Sequence, residues 1–161
     1  MPDVYVAAGS NIEPLLHLRS ALNALKRRVG DIKVSPAYRN KAVGFDGPEF
    51  INLVIGFETE LTLTEVLSVL QAVESLCGRA RKAPKFEPRT MDLDLLLYGE
   101  MVCDTHAITL PRPDLIKRAY MLGPLAELAP DLLHPTLKRT MSDLWKNFDQ
   151  AAHPLVVVPF Q

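Results

Sequence analysis

Two stretches of the sequence repeat their apolar residues at helical spacing between clear end signals, and two strand-like runs lie between them. From Pro14 to Val29, Leu15, Leu18, Leu22, Leu25 and Val29 share one side of a helix, Lys26, Arg27 and Arg28 fill its last turn, and Gly30 follows. The second stretch opens on Thr62 with Glu65 three residues later, a capping box. It continues through Val66, Leu67, Leu70, Val73 and Cys77 and closes at Gly78. Between the helices, Ile32 to Arg39 reads as a weak strand interrupted by Pro36, and Phe50 to Thr59 (FINLVIGFET) as a strong one. The irregular residues 40–49, with Gly44, Gly47 and Pro48, separate these two runs. Val4 to Ala8 precedes the first helix as a short apolar strand, and Met91 to Tyr98 follows the second as another. The order β-α-β-β-α-β predicts an α+β, ferredoxin-like core, an antiparallel sheet with helices packed on it. Shorter helical stretches around Leu115 to Leu128 and Ser142 to Phe148 are expected as extra C-terminal elements, and the patterning does not say where the LVVVPF segment goes.

With 161 residues and 48% hydrophobic content, the chain is expected to fold as a single domain over 1–161. Its net charge of −1 supplies no overall field for nucleic acid or an anionic membrane, so neither is expected as a partner. No apolar run reaches spanning length and Met-Pro-Asp-Val lacks the basic start of a signal sequence, which predicts a cytoplasmic protein. Cys77 and Cys103 show neither disulfide-framework nor metal-ligand spacing and read as packed, reduced thiols.

The strand at 91–98 has an unusual feature for a core element, Asp92 and Asp94 in alternation with Leu93 and Leu95. Residues two apart in a strand project to one face about 6.6 Å apart, so the two carboxylates point together. Such a pair repels itself unless a cation lies between, and hard oxygen ligands on a rigid strand suit magnesium, whose remaining ligands are waters and substrate phosphates. Taken alone, the pair leaves open an edge strand with two solvated aspartates. The preceding loop carries Arg79, Arg81, Lys82, Lys85 and Arg89, and Pro84 and Pro88 keep it out of a helix. Taken alone it reads as a solvated basic loop or a nucleic-acid patch with Phe86 as stacking residue. Loop and carboxylates together read as a site for a metal-bound polyphosphate. Gln71 and Glu74 share a polar helix face, and Arg112, Lys117 and Arg118 lie beside Tyr120. His17, His106, His134 and His153 are scattered and read as surface or packing residues, and Gly9-Ser10-Asn11 is a weak site signal. A polymerase-palm-like nucleotidyltransferase would also use paired aspartates, and an RNA-binding module of similar topology would use the basic loop. A small-molecule binding protein without turnover is a further alternative.

The segments "VAAGSN", "PEFINLV", "GRARKAPKFEPRTMDLDLLLYG" and "LPRPDLIKRAYMLGPLAELAP" resemble the 6-hydroxymethyl-7,8-dihydropterin pyrophosphokinases of folate biosynthesis, from near residue 4 to near residue 135. The resemblance implies a magnesium-dependent ATP:pterin diphosphotransferase. ATP is its co-substrate, AMP and the pterin diphosphate are its products, two Mg2+ ions assist, and the protein is a monomer whose partners are small molecules. It further implies that Asp92 and Asp94 hold both metals and that Arg79 and Arg89 are catalytic, stabilising charge on the transferring phosphates. Gln71, Glu74, Arg81, Lys82, Thr109, Arg112 and Arg118 would line the ATP site. Phe50 and Tyr120 would sandwich the pterin, Asn52 would read its polar edge, and Asn11 with the backbone near Val43 would complete the pocket. The chain departs from the family pattern at Arg112, where histidine is usual, at Glu87, where glycine is common, and at Asn40-Lys41-Ala42, where threonine and proline are frequent.

Overall fold

The computed structural model describes residues 1–40, 49–78 and 91–160. Strand β1 (Asp3–Ser10) runs into helix α1 (Pro14–Val29), whose limits match the proline and glycine signals. Its buried face is Leu18, Ala21, Ala24 and Leu25. Leu15, expected on that face, is 38% exposed. The weak strand divides at Ser35-Pro36 into β2 (Lys33–Val34) and β3 (Ala37–Asn40). Proline cannot donate to a ladder, and the Ser35 hydroxyl instead accepts the Val54 N–H at 2.8 Å. Strand β4 (Phe50–Glu58) is buried along nearly its whole length. Helix α2 (Leu63–Leu76) begins at a formed capping box: the Thr62 hydroxyl accepts the Glu65 N–H and the Glu65 carboxylate accepts the Thr62 N–H. Strand β5 (Asp92–Tyr98) closes the expected core.

The sheet order is β5-β1-β4-β3-β8, where β8 is Val156–Val158, with β2 also on β4, and every pairing is antiparallel. The core strands thus follow the ferredoxin-like order, with β1 and β4 at the centre. The expected C-terminal helical stretches are present, and three short strands are added that the patterning did not place. A small hairpin joins β6 (Cys103–Asp104) to β7 (Thr109–Leu110), with the Thr109 hydroxyl donating to Asp104 at 2.8 Å. The helical stretch from Leu115 is a 3-10 turn (Pro113–Ile116) followed by a separate helix α3 (Ala119–Leu128), and helix α4 is Met141–Lys146. The LVVVPF segment contributes β8 (Val156–Val158), which pairs with β3 and extends the sheet.

Alternation places a separate core on each face. Val4, Val6 and Ala8 of β1 meet Leu53 and Ile55 of β4, Leu93 and Leu95 of β5, and the buried sides of α1 and α2. On the other face Ala7, Val54 and Leu96 meet Met121, Leu122 and Leu125 of α3 and Met141 of α4. Cys77 is buried in the first core and Cys103 is half-buried, both as free thiols. Among the described residues no helix is long and apolar enough to cross a membrane.

Candidate active site

Register determines which polar residues meet. Asp92 pairs with Gly9, Gly9 with Asn52 and Asn52 with Tyr38, so these four form one row across four strands on the α3 face. Asp94, paired with Ala7, lies on the same face one step along. Paired residues in an antiparallel sheet point to the same side. The row therefore brings a carboxylate pair at one edge of the sheet toward an amide and an aromatic ring nearer its middle. Gly9 is what lets them approach: a Cβ there would overlap the Asn52 amide oxygen and lie 3.7 Å from the Phe50 ring. Asn52 is buried and donates its amide N–H to the Asn40 side-chain oxygen, which leaves the Asn52 oxygen turned toward Gly9. Asn11, buried at 4% exposure, follows the end of β1 beside this row.

The far side of β5 is an edge, and its backbone groups are claimed by residues from two other elements. The Leu93 N–H donates to the Glu74 carboxylate of α2 at 2.8 Å, and the Leu96 carbonyl accepts from the Arg112 N–H at 3.0 Å. Between α2 and the β6–β7 hairpin lies a cleft of about 500 Å³ lined by Leu67, Leu70, Gln71, Glu74, Ile108, Thr109 and Arg112 among others. Four residues expected along an ATP site thus share one cleft, although they come from two distant parts of the chain. Its apolar wall of Leu67, Leu70 and Ile108 escaped the sequence reading, because these residues look like ordinary core positions until the hairpin is folded back.

Arg112 also reaches across to the carboxylates. Its guanidinium donates to Asp94 at 2.8 Å, with each side chain 27% exposed. Burial, first, and then the charge of Asp92 push the Asp94 carboxyl up to about 6, Arg112 opposing and Glu74 adding to the rise. Arg118 stands at the N-terminus of α3, two residues before Tyr120. Burial raises the Tyr120 phenol, Arg118 counteracts it, and Asp94 and Asp92 both act on it, so ring, cation and carboxylates occupy one neighbourhood. Among the described residues no group of three or more His, Cys, Asp or Glu is placed to hold a metal ion, so a cation here would have the two aspartates as its protein carboxylates. The remaining expected site residues, Arg79, Arg81, Lys82, Arg89 and Val43, lie outside the described residues, as does Glu87.

Residues 5–130 match the model of the 7,8-dihydro-6-hydroxymethylpterin-pyrophosphokinase (HPPK) family. A Pseudomonas aeruginosa protein named 2-amino-4-hydroxy-6-hydroxymethyldihydropteridine pyrophosphokinase is 42% identical over 136 residues, covering 82% of this chain and 83% of its own. A Haemophilus influenzae protein of the same name is 34% identical over 160 residues, covering 97% and 98%. The crystal structure of wild-type Plasmodium falciparum HPPK-DHPS with SDX-DHP superposes with a TM-score of 0.70 at 13% identity, over 91% of this chain and 43% of that longer one. At that identity the superposition speaks for the fold.

Proposed function

Because the chain belongs to the 7,8-dihydro-6-hydroxymethylpterin-pyrophosphokinase family, we infer that it transfers pyrophosphate from ATP to 6-hydroxymethyl-7,8-dihydropterin, giving AMP and the pterin diphosphate in folate biosynthesis. The observation that supports the reading at the level of residues is the row Asp92–Gly9–Asn52, which puts the carboxylates and the Asn52 amide on one face of the sheet. In this reading Phe50 and Tyr120 hold the flat pterin by stacking, and Asn52 reads its polar edge. One Asn52 N–H is engaged by Asn40, and the amide's oxygen and second N–H can pair with donors and acceptors of the pterin edge. Asn11 and the backbone near Val43 complete that pocket. Gln71, Glu74, Thr109 and Arg112 receive ATP in the cleft along β5, and Arg118, Arg81 and Lys82 complete the ATP-binding set.

The donor set suits magnesium. Asp92 and Asp94 project from one face of a rigid strand, and a carboxyl pushed up to about 6 by burial and a like charge is one that a divalent cation would relieve. Asp92 and Asp94 would hold two Mg2+ ions, which supply neutralisation of the phosphate charge and activation of the attacking hydroxyl. The protein's own contribution is alignment: the pocket fixes the hydroxymethyl group, the cleft fixes the triphosphate, and Arg79 and Arg89 stabilise charge on the group in transit. The single domain acts as a cytoplasmic monomer on small molecules, without nucleic acid or membrane.

The test is to incubate the protein with ATP, magnesium and 6-hydroxymethyl-7,8-dihydropterin and to identify both products. Pterin-dependent AMP with a pyrophosphorylated pterin is the expected result. Release of pyrophosphate would favour a nucleotidyl transfer instead, and no AMP from folded protein would overturn the reading.

A further inference from the structure

Arg112 is tied to the edge of β5 by its main chain, since its N–H bonds the Leu96 carbonyl at 3.0 Å and Pro111 and Pro113 restrict the backbone on either side. The side chain is the part free to choose a partner. It meets Asp94, at 2.8 Å and three-quarters out of solvent. A guanidinium at that distance occupies a lone-pair direction of one Asp94 oxygen, and its charge competes with that of a divalent cation for the same carboxylate. The arrangement also leaves a donor unused: Arg112 Nε is buried and has no hydrogen-bond partner. An unsatisfied buried N–H is costly, so the Asp94-bound position is not one in which this side chain is fully accommodated. The same residue lines the cleft with Gln71, Glu74 and Thr109, within reach of an anion bound there.

We propose that Arg112 is an exchangeable counter-ion of Asp94 that makes divalent-metal binding conditional on nucleotide. Without nucleotide the guanidinium fills the cation's place and metal alone binds weakly. When a polyphosphate enters the cleft, Arg112 turns to its oxygens, its unpaired Nε gains an acceptor, and Asp94 is released to the metal. Linkage makes the effect reciprocal, so metal raises nucleotide affinity by the same factor. A histidine at this position is shorter and uncharged near neutrality, so the device belongs to this chain's arginine. The inference rests on the reading of Asp92 and Asp94 as metal ligands.

The experiment measures binding of Mn2+ as the metal probe, alone and with the α,β-methylene analogue of ATP, to wild type, Arg112→Gln, Arg112→Met, Asp92→Asn and Asp94→Asn, using the electron-spin signal of free Mn2+ and calorimetry. Two substitutions of different polarity at Arg112 guard against one that fails to fold. The expected result is that Mn2+ alone binds the Arg112 variants about tenfold more tightly than wild type, while the increase in affinity produced by the analogue shrinks by a similar factor. Equal or weaker binding of Mn2+ alone to folded Arg112 variants, with Asp94→Asn still abolishing it, would overturn the counter-ion role and leave the metal site standing. Unchanged binding of Mn2+ with the analogue in both aspartate variants would overturn the metal reading itself.

Discussion

The Asp94 carboxyl lies where its protonated form is favoured, burial and Asp92 pushing it up to about 6 while Arg112 pulls the other way. A folded-state value above the ordinary 3.8 means that the stabilisation from this shift is present below that value and lost as pH rises through about 6. At neutral pH the ionised group is therefore a cost to the fold, one that a bound cation in the proposed function would offset. Asp94→Asn is expected to lower turnover by at least about a hundredfold and to raise the melting temperature at pH 7.5. About 1 kcal/mol, or 2–4 °C, is expected, since Arg112 loses part of its compensation. The gain should vanish near pH 4, which melting curves at the two pH values would reveal. His134 has the opposite sign. It is 4% exposed, its Nδ1 accepts the N–H groups of Thr136 and Leu137 at 3.3 and 3.2 Å, and burial holds the imidazole below its usual value. Its contribution is present above pH 6.5 and lost as pH falls through the depressed value. Urea midpoints at pH 7.5 and pH 5 should fall further in wild type than in His134→Asn, which keeps an acceptor and does not titrate.

Elements with their own local signals were legible and elements defined by a partner were not. Helix α1 begins at Pro14 and ends at Val29 because a missing N–H and a positive-φ glycine are local facts, and Gly30 has φ 85°. The Thr62 capping box is equally local. The β6–β7 hairpin and β8 are two- and three-residue strands that exist because they have something to pair with, and no periodicity develops over so short a length. Within β1 the decisive position is Gly9, which in the sequence is part of no more than a weak site signal at the end of the strand. Gly9→Ala is expected to push aside Asn52, raising KM for the pterin about tenfold or more while KM for ATP changes little. Steady-state kinetics with each substrate varied would check this. A change confined to ATP would move the pterin pocket elsewhere.

The whole molecule is a sheet with a core on each side, joined through β1 and β4, whose alternate residues belong to both. Leu25 in one core and Leu122 in the other are both essentially without exposed surface. Truncating either to alanine is expected to cost about 2–5 kcal/mol. Because the central strands are shared, each variant should still unfold in one transition by circular dichroism and by tryptophan fluorescence from Trp145. Two separated transitions would show that the faces fold independently. The α+β class, the order of the core elements, the two amphipathic helices and the pairing of Asp92 with Asp94 on one side of a strand were determined by the sequence, because period, caps and alternation depend on neighbours a few residues away. Which strands lie side by side, and therefore that Asp92 shares a row with Gly9 and Asn52, was decided by the tertiary structure. So was the meeting of Arg112, which follows the β6–β7 hairpin, with Asp94. Register and long-range charge pairing arise from burying both faces of the sheet at once, and no local pattern along the chain carries that constraint.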